Sequence, residues 1–155
     1  LVNTEDLLDA IEDGIVSTYV TDFPNEHLLD CENVIPIPHL GASTPESEDN
    51  CAMMASQQLK TYIETGNIIN SVNFPHCEMP IAELHRITVA HRNVPNMVSQ
   101  ITTCLANNNI NIDNMMNKSK GNVAYTIIDI DGIAPAELLQ NIFDINGVIK
   151  VRMIP

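Results

Sequence analysis

From Arg86 onward the spacing of apolar residues changes period in an order that few folds can accommodate. Arg86 to His91 alternates, which predicts a strand, and Pro95 to Ala106 carries Val98, Ile101, Thr102 and Leu105 at helical spacing. Ile110 to Asn117 and Asn122 to Ile130 read as strands about a Lys118-Ser119-Lys120-Gly121 turn. Pro135 to Phe143 sets Leu138, Leu139 and Ile142 on one side of a second helix, and Val148 to Ile154 closes as a strand. Strand, helix, strand, strand, helix, strand is the split βαββαβ plan of an α+β ferredoxin-like unit. One layer of helices leaves a sheet face and an edge open, so we expect a homo-oligomer through this region.

The earlier residues follow another plan. Asn3, Thr4, Glu5 and Asp6 supply a cap and first-turn acids, Leu7, Leu8 and Ile11 follow at helical spacing, and Gly14 stops the helix. Ile15 to Val20 reads as a strand, Asp22 to Glu26 as a loop, and Val34 to Ile37 as a second strand limited by Pro36 and Pro38. Thr44 and Pro45 then fit the cap and first position of a helix, with Glu46, Glu48 and Asp49 in its first turn. Cys51, Met54, Ala55, Leu59, Tyr62 and Ile63 form its apolar stripe, and Gly66 ends it. Helix, strand, loop, strand, helix is the order expected at the end of a doubly wound α/β, Rossmann-type domain. The expected division is therefore 1–66, a linker over 67–82, and the βαββαβ unit over 83–155.

Charge marks the same division. Residues 1–80 hold 14 acidic side chains and one basic (Lys60), whereas 81–155 hold six of each, so the net charge of −13 belongs to the first part. An acidic surface repels phosphate backbones and anionic lipid, which argues against nucleic acid and membrane as partners. No apolar run approaches the roughly 20 residues of a membrane span, and no signal-peptide pattern is present. The four cysteines, at 31, 51, 77 and 104, lack metal-ligand spacing. We expect reduced thiols, a cytoplasmic protein and no metal; the adjacent His76 and Cys77 do not change that. Met53, Met54, Met97, Met115 and Met116 are read as core and interface filler. The chain opens on Leu1 rather than Met, and we expect a fragment.

Two constellations carry chemistry. In Val34-Ile-Pro-Ile-Pro-His-Leu-Gly-Ala-Ser-Thr44, a strand ends at His39 before a tight turn and a helix start. That places an imidazole, able to take and return a proton near neutrality, at the strand end where open α/β sheets bind ligands. The second is His91-x-Asn93-x-Pro95 together with Asn111.

Pro38-His-Leu-Gly-Ala-Ser-Thr44, the acidic loop before it and Asn70-Ser-Val-Asn-Phe-Pro75 after it resemble the phosphoglycerate dehydrogenases, within the NAD-dependent D-2-hydroxyacid dehydrogenase family. The βαββαβ unit resembles their ACT regulatory domain. The resemblance implies NAD as cofactor and 3-phosphoglycerate as substrate, oxidised to 3-phosphohydroxypyruvate in serine biosynthesis. It makes His39 the general acid/base, Glu26 its carboxylate partner, Asp22 a contact to the nicotinamide carboxamide, and Gly41 and Ala42 neighbours of the nicotinamide. It makes His91, Asn93 and Asn111 an effector site between two copies, with L-serine as the expected ligand.

The departures matter as well. Glu26 is followed by His27 where relatives have proline, and an ungapped alignment puts Thr21, not Asp22, at the carboxamide contact. Val94-Pro95-Asn96 stands where relatives read Arg-Pro-Gly; asparagine is the residue after glycine that best tolerates a positive φ. The Gly-x-Gly-x-x-Gly loop, the ribose-reading acid and the catalytic arginine are missing, so these residues alone are expected to be catalytically silent. The alternatives are a stand-alone amino-acid-binding module of ACT type, or a dehydrogenase for another D-2-hydroxy acid.

Overall fold

A computed structural model describes residues 2–81 and 85–155. The chain divides into two compact units, the first ending at Met53 and the second running from Met54 to Pro155. The first contains α1 (Thr4–Glu12), β1 (Tyr19–Thr21), α2 (Glu26–Leu29) and β2 (Val34–Pro36). Asn3 caps α1 by accepting from the Glu5 and Asp6 amides, as the sequence suggests. Leu7 and Ile11 of α1 pack on Leu28 and Val34 as a small core.

The first strand starts later than its β-branched run implies. The amides of Ile15 and Val16 both donate to Ala10 O, and Gly14 adopts φ +73°, so the end of α1 holds these residues out of β1. The expected loop holds from Asp22 to Asn25, and Glu26 at its end opens the short helix α2, whose first turn is capped by the Asn25 side chain accepting from the Leu28 amide. Strands β1 and β2 are parallel, with Tyr19 opposite Val34 and Thr21 opposite Pro36.

Helix α3 (Pro45–Thr65) begins in the first unit and ends in the second; none of its residues is buried. Its cap is the expected one, Thr44 Oγ1 accepting from the Ser47 amide at 3.2 Å. The second unit continues with β3 (His85–Arg92), α4 (Met97–Asn107), β4 (Asn111–Lys120), β5 (Val123–Asp131), α5 (Ala136–Phe143) and β6 (Val148–Ile154). The strands lie in the order β4-β5-β3-β6 with every neighbour antiparallel, which is the ferredoxin-like sheet. On one face Ile87, Val89, Ile128 and Ile130 meet Ile101 and Leu105 of α4 and Leu138 and Ile142 of α5.

The opposite face is not open. Residues 67–82, expected as a linker, are folded onto it from Asn67 to Met79, and residue 82 lies outside the described residues. Ile68 and Cys77 exchange both backbone hydrogen bonds, at 2.8 and 3.0 Å, and the Asn67 side chain bonds both the N–H and the C=O of Met79. Ile68, Cys77 and Met79 thereby reach Ala90, Tyr125 and Ile127 of the sheet. The segment has no period because polar side chains, not a regular backbone ladder, hold it down.

Two predictions arise from this face. Gly66 ends α3 at φ +72°, and a Cβ there would lie 2.5 Å from Thr88 Cγ2 and 2.7 Å from Ile154 Cδ1. Gly66→Ala is therefore expected to cost about 2–4 kcal/mol in urea unfolding, combining left-handed strain with overpacking. Tyr125, whose hydroxyl donates to Gly66 O at 2.8 Å, has its phenol pushed up to about 12 by burial. An unfolded tyrosine titrates near 10, so on raising the pH the unfolded chain ionises first. The stabilisation is complete below pH about 10 and is lost as pH rises through about 12, by roughly 2–3 kcal/mol; Tyr125→Phe should remove that alkaline decline.

Candidate functional site

Parallel pairing brings the carboxyl ends of β1 and β2 side by side. Past Thr21 and Pro36 the ladder takes one more step, the Ile37 amide donating to Thr21 O at 2.9 Å. Asp22 follows β1 directly, and His39 stands after Pro38, whose fixed φ and missing N–H keep the chain extended beyond the ladder. His39 Nδ1 is 2.8 Å from Asp22 Oδ2. A carboxylate only accepts, so Nδ1 carries the hydrogen and Nε2 is left as the basic nitrogen. The Phe23 ring meets the imidazole edge-on, with centroids 5.5 Å apart. The pair is open to water, with the two side chains 62% and 47% exposed.

Glu26, expected to be the imidazole's partner, is instead the first residue of α2 and exposed, and among the described residues it forms no ion pair with His39. Gly41 and Ala42 form an exposed turn anchored by Ser47, whose hydroxyl donates to Gly41 O at 3.0 Å. Among the described residues, and apart from its own chain neighbours, no atom lies within 4 Å of where a Cβ on Gly41 would stand, so the space beside this turn is open.

The second constellation is rearranged. His91 is 2% exposed, and both ring nitrogens are engaged: Nδ1 donates to Arg92 O at 2.9 Å and Nε2 lies 2.9 Å from Thr126 Oγ1. Strand parity turns it toward Thr126 inside the sheet, so it has no free nitrogen for a ligand. Asn93 is exposed and donates through Nδ2 to Gly121 O at 3.0 Å, leaving Oδ1 available. Asn111 lies opposite Asp131, beside a shallow hollow of about 370 Å³ with Thr102, Thr103 and Ala106. Asn93 neighbours the β4–β5 turn and Asn111 starts β4. The length of β4 separates the two, about 30 Å at 3.3 Å per residue.

No protein-family model matches the chain. Curated proteins do. The D-3-phosphoglycerate dehydrogenase of Haemophilus influenzae is 26% identical over 166 residues, covering 99% of this chain and 40% of its own length. That of Escherichia coli K12 is 28% identical over 82% of this chain and 32% of its own length. D-3-phosphoglycerate dehydrogenase 2 of Saccharomyces cerevisiae is 30% identical over 116 residues, or 72% of this chain and 24% of the yeast protein. The chain is related in sequence to D-3-phosphoglycerate dehydrogenases. It spans less than half the length of these relatives. Among solved structures it is similar to the ACT domain from GTP pyrophosphokinase of Chlorobium tepidum, with TM-score 0.40 and 19% identity over 46% of this chain and 96% of that one. That likeness adds nothing to the strand order, on which the fold assignment rests.

In the turn before α4, Asn96 adopts φ +69°, the left-handed conformation that asparagine tolerates best after glycine. Sequence reasoning missed a buried ion pair, Arg86 with Asp129, at 2.6 Å. Its signal was an acid inside the apolar run Ile127-Ile128-Asp129-Ile130.

Proposed function

We propose that this chain is the carboxyl-terminal portion of an NAD-dependent D-3-phosphoglycerate dehydrogenase, acting in the cytoplasm. The observation that carries this reading is an imidazole with a carboxylate on Nδ1, at the carboxyl ends of two parallel strands, within the Pro38–Thr44 motif. The first unit is then the end of a doubly wound domain. Oxidising a secondary alcohol requires its hydroxyl proton to leave as the C–H bond breaks, and His39 Nε2 takes that proton. NAD, when bound, supplies the hydride acceptor. This chain offers it the small Gly41–Ala42 turn, where close approach is unobstructed; the groups holding its phosphates and those of 3-phosphoglycerate belong to other segments. Alone, the 155 residues should not turn over substrate.

The second unit serves as an ACT-type sensor for an amino acid, with L-serine the best candidate, and as the contact between copies. Within one copy Asn93 and Asn111 are too far apart to share a ligand. Strand β4 is an edge of the sheet, and antiparallel pairing of two β4 edges about a two-fold axis would bring Asn111 of one copy toward Asn93 of its partner. Primary amides can both donate to a carboxylate and accept from an ammonium. His91 then supports the site from beneath rather than touching the ligand. Titrating the chain with L-serine by calorimetry should give saturable heat that Asn93→Ala or Asn111→Ala diminishes. No heat at millimolar ligand would contradict the sensor.

A stand-alone sensor is the second reading, favoured by the completeness of the βαββαβ unit. The encoding gene separates the two. A Gly-x-Gly-x-x-Gly strand–turn–helix and an Arg-Gly ahead of Leu1 support the enzyme; their absence supports the module.

A further inference from the structure

We infer that the cavity between α3, the 67–81 segment and the sheet is a binding site for a small, uncharged, fused-ring aromatic molecule. The cavity lies within the second unit and measures about 390 Å³. Its walls include Ala55 and Tyr62 of α3, Ile68 and Phe74 of the folded-down segment, and Ala90 and Tyr125 of the sheet. Neither Asn93 nor Asn111 lines it, so it is separate from the amide pair proposed for an amino acid.

Polar ties hold the walls apart. At the end of α3, Arg152 donates to Tyr62 O and Ile63 O at 3.2 and 3.0 Å, and the Tyr125 hydroxyl donates to Gly66 O at 2.8 Å. Carbonyls left free at the end of the helix thus meet donors from the sheet. The Arg152 guanidinium also lies over the Tyr62 ring, 4.5 Å from its centroid. The 67–81 segment is fixed separately, by the Ile68–Cys77 backbone pair and by Lys120, whose ammonium donates to Ser71 O and Val72 O at 3.4 and 2.9 Å. Neither wall approaches the other without breaking these bonds. Alanine at 55 and at 90 then keeps the space open, because a methyl group reaches only a short way from the backbone.

The lining selects the ligand. It contains no Asp, Glu, Lys, Arg or His, so an entering ion would lose its water without meeting a counter-charge. Phe74 and Tyr125 meet edge to face with centroids 6.2 Å apart, and Tyr62 lines the α3 side, which favours an aromatic guest. An apolar cavity of about 150 Å³ takes one benzene ring, so this one has room for fused rings. Polar groups are few, as in most small-molecule sites. Ser71 Oγ accepts from the Phe74 amide at 3.0 Å and keeps its own O–H, and the Gln58 side chain forms no hydrogen bond among the described residues. A single donor or acceptor on the ligand is thereby matched. A peptide suits the space poorly: the backbone of Ile68 is paired with Cys77, and the Tyr62 and Gly66 carbonyls are taken, so inserted amides would be buried without partners. A molecule bound here touches α3, the segment and the sheet together, and so stiffens the end of α3.

Indole is the probe, and indole-3-acetate is its charged counterpart. Titration with indole, followed by NMR, should move the Ala55 and Ala90 methyl resonances saturably, with Kd roughly 0.1–1 mM. Indole-3-acetate should bind roughly tenfold more weakly, or not at all. Ala55→Leu and Ala90→Leu each extend a side chain into the space. Each should weaken indole binding roughly tenfold or more, read at the alanine that remains. Ala55 is exposed on a helix and leucine is a good helix former, so Ala55→Leu keeps the test valid where Ala90→Leu disturbs the sheet. The protein as its gene encodes it should bind indole within about threefold of the 155-residue chain, since the walls all lie within the second unit. Loss of binding there would mean that preceding residues fill the cavity, and would overturn the inference. Methyl resonances that stay still up to the solubility limit of indole would overturn it too, as would indole-3-acetate binding as tightly as indole, or an affinity that Ala55→Leu leaves unchanged.

Discussion

Asp129→Ala is expected to lower the unfolding free energy of the second unit by about 3–5 kcal/mol, the largest single-site loss of stability in the molecule. Arg86 and Asp129 face each other on adjacent central strands and are 4% and 1% exposed. The guanidinium donates to Asp129 twice, at 2.6 and 3.0 Å. Its remaining N–H groups reach Thr65 O, Asn67 Oδ1, Met79 O and Pro80 O. One side chain therefore ties the end of α3 and the 67–81 segment to the sheet. Removing the carboxylate leaves a buried cation without its counter-charge, whereas removing both charges does not. Arg86→Met with Asp129→Leu should recover part of the loss. Recovery should stop short of wild type, because the backbone carbonyls that Arg86 satisfied would lose their donor. Urea denaturation of the four corners of that cycle measures the coupling directly.

In the protein as its gene encodes it, His39→Asn is expected to reduce turnover by roughly a hundredfold or more, the scale of a lost general base. Asparagine keeps a polar side chain near Asp22 but cannot accept the hydroxyl proton at neutral pH. The loss should fall on kcat, since the proposed anchors for substrate carboxylate and phosphate lie outside this chain. His39 is mostly exposed and its ion pair is screened, so the variant should unfold at the same urea concentration as the wild type. Steady-state NADH formation measures the first effect, and denaturation excludes a folding explanation.

The βαββαβ unit was legible because its helices are amphipathic and its strands separated by turn residues; Ile101, Leu105, Leu138 and Ile142 all face the core they were expected to face. The local stops and caps were legible as well, at Asn3, Thr44 and Gly66, since each residue type has one mechanical reason to be there. Three features were not. The 67–81 segment carries its order in isolated polar contacts such as Asn67 with Met79, which leave no periodic trace. His91 stood in a strand buried on both faces, where alternation cannot tell a ligand-facing ring from a core one. The Asp22–His39 contact arises in the turn after β1, where Thr21 Oγ1 accepts from the Phe23 amide, and such a local turn leaves no trace in residue spacing.

The central claim is that the edge where β1 and β2 end transfers a proton for NAD-linked oxidation of 3-phosphoglycerate. The most direct measurement is NADH formation from that substrate by the protein as its gene encodes it. The account expects saturable, NAD-dependent formation that His39→Asn nearly abolishes. Formation that persists undiminished in His39→Asn, or no NAD reduction with 3-phosphoglycerate at all, would contradict it.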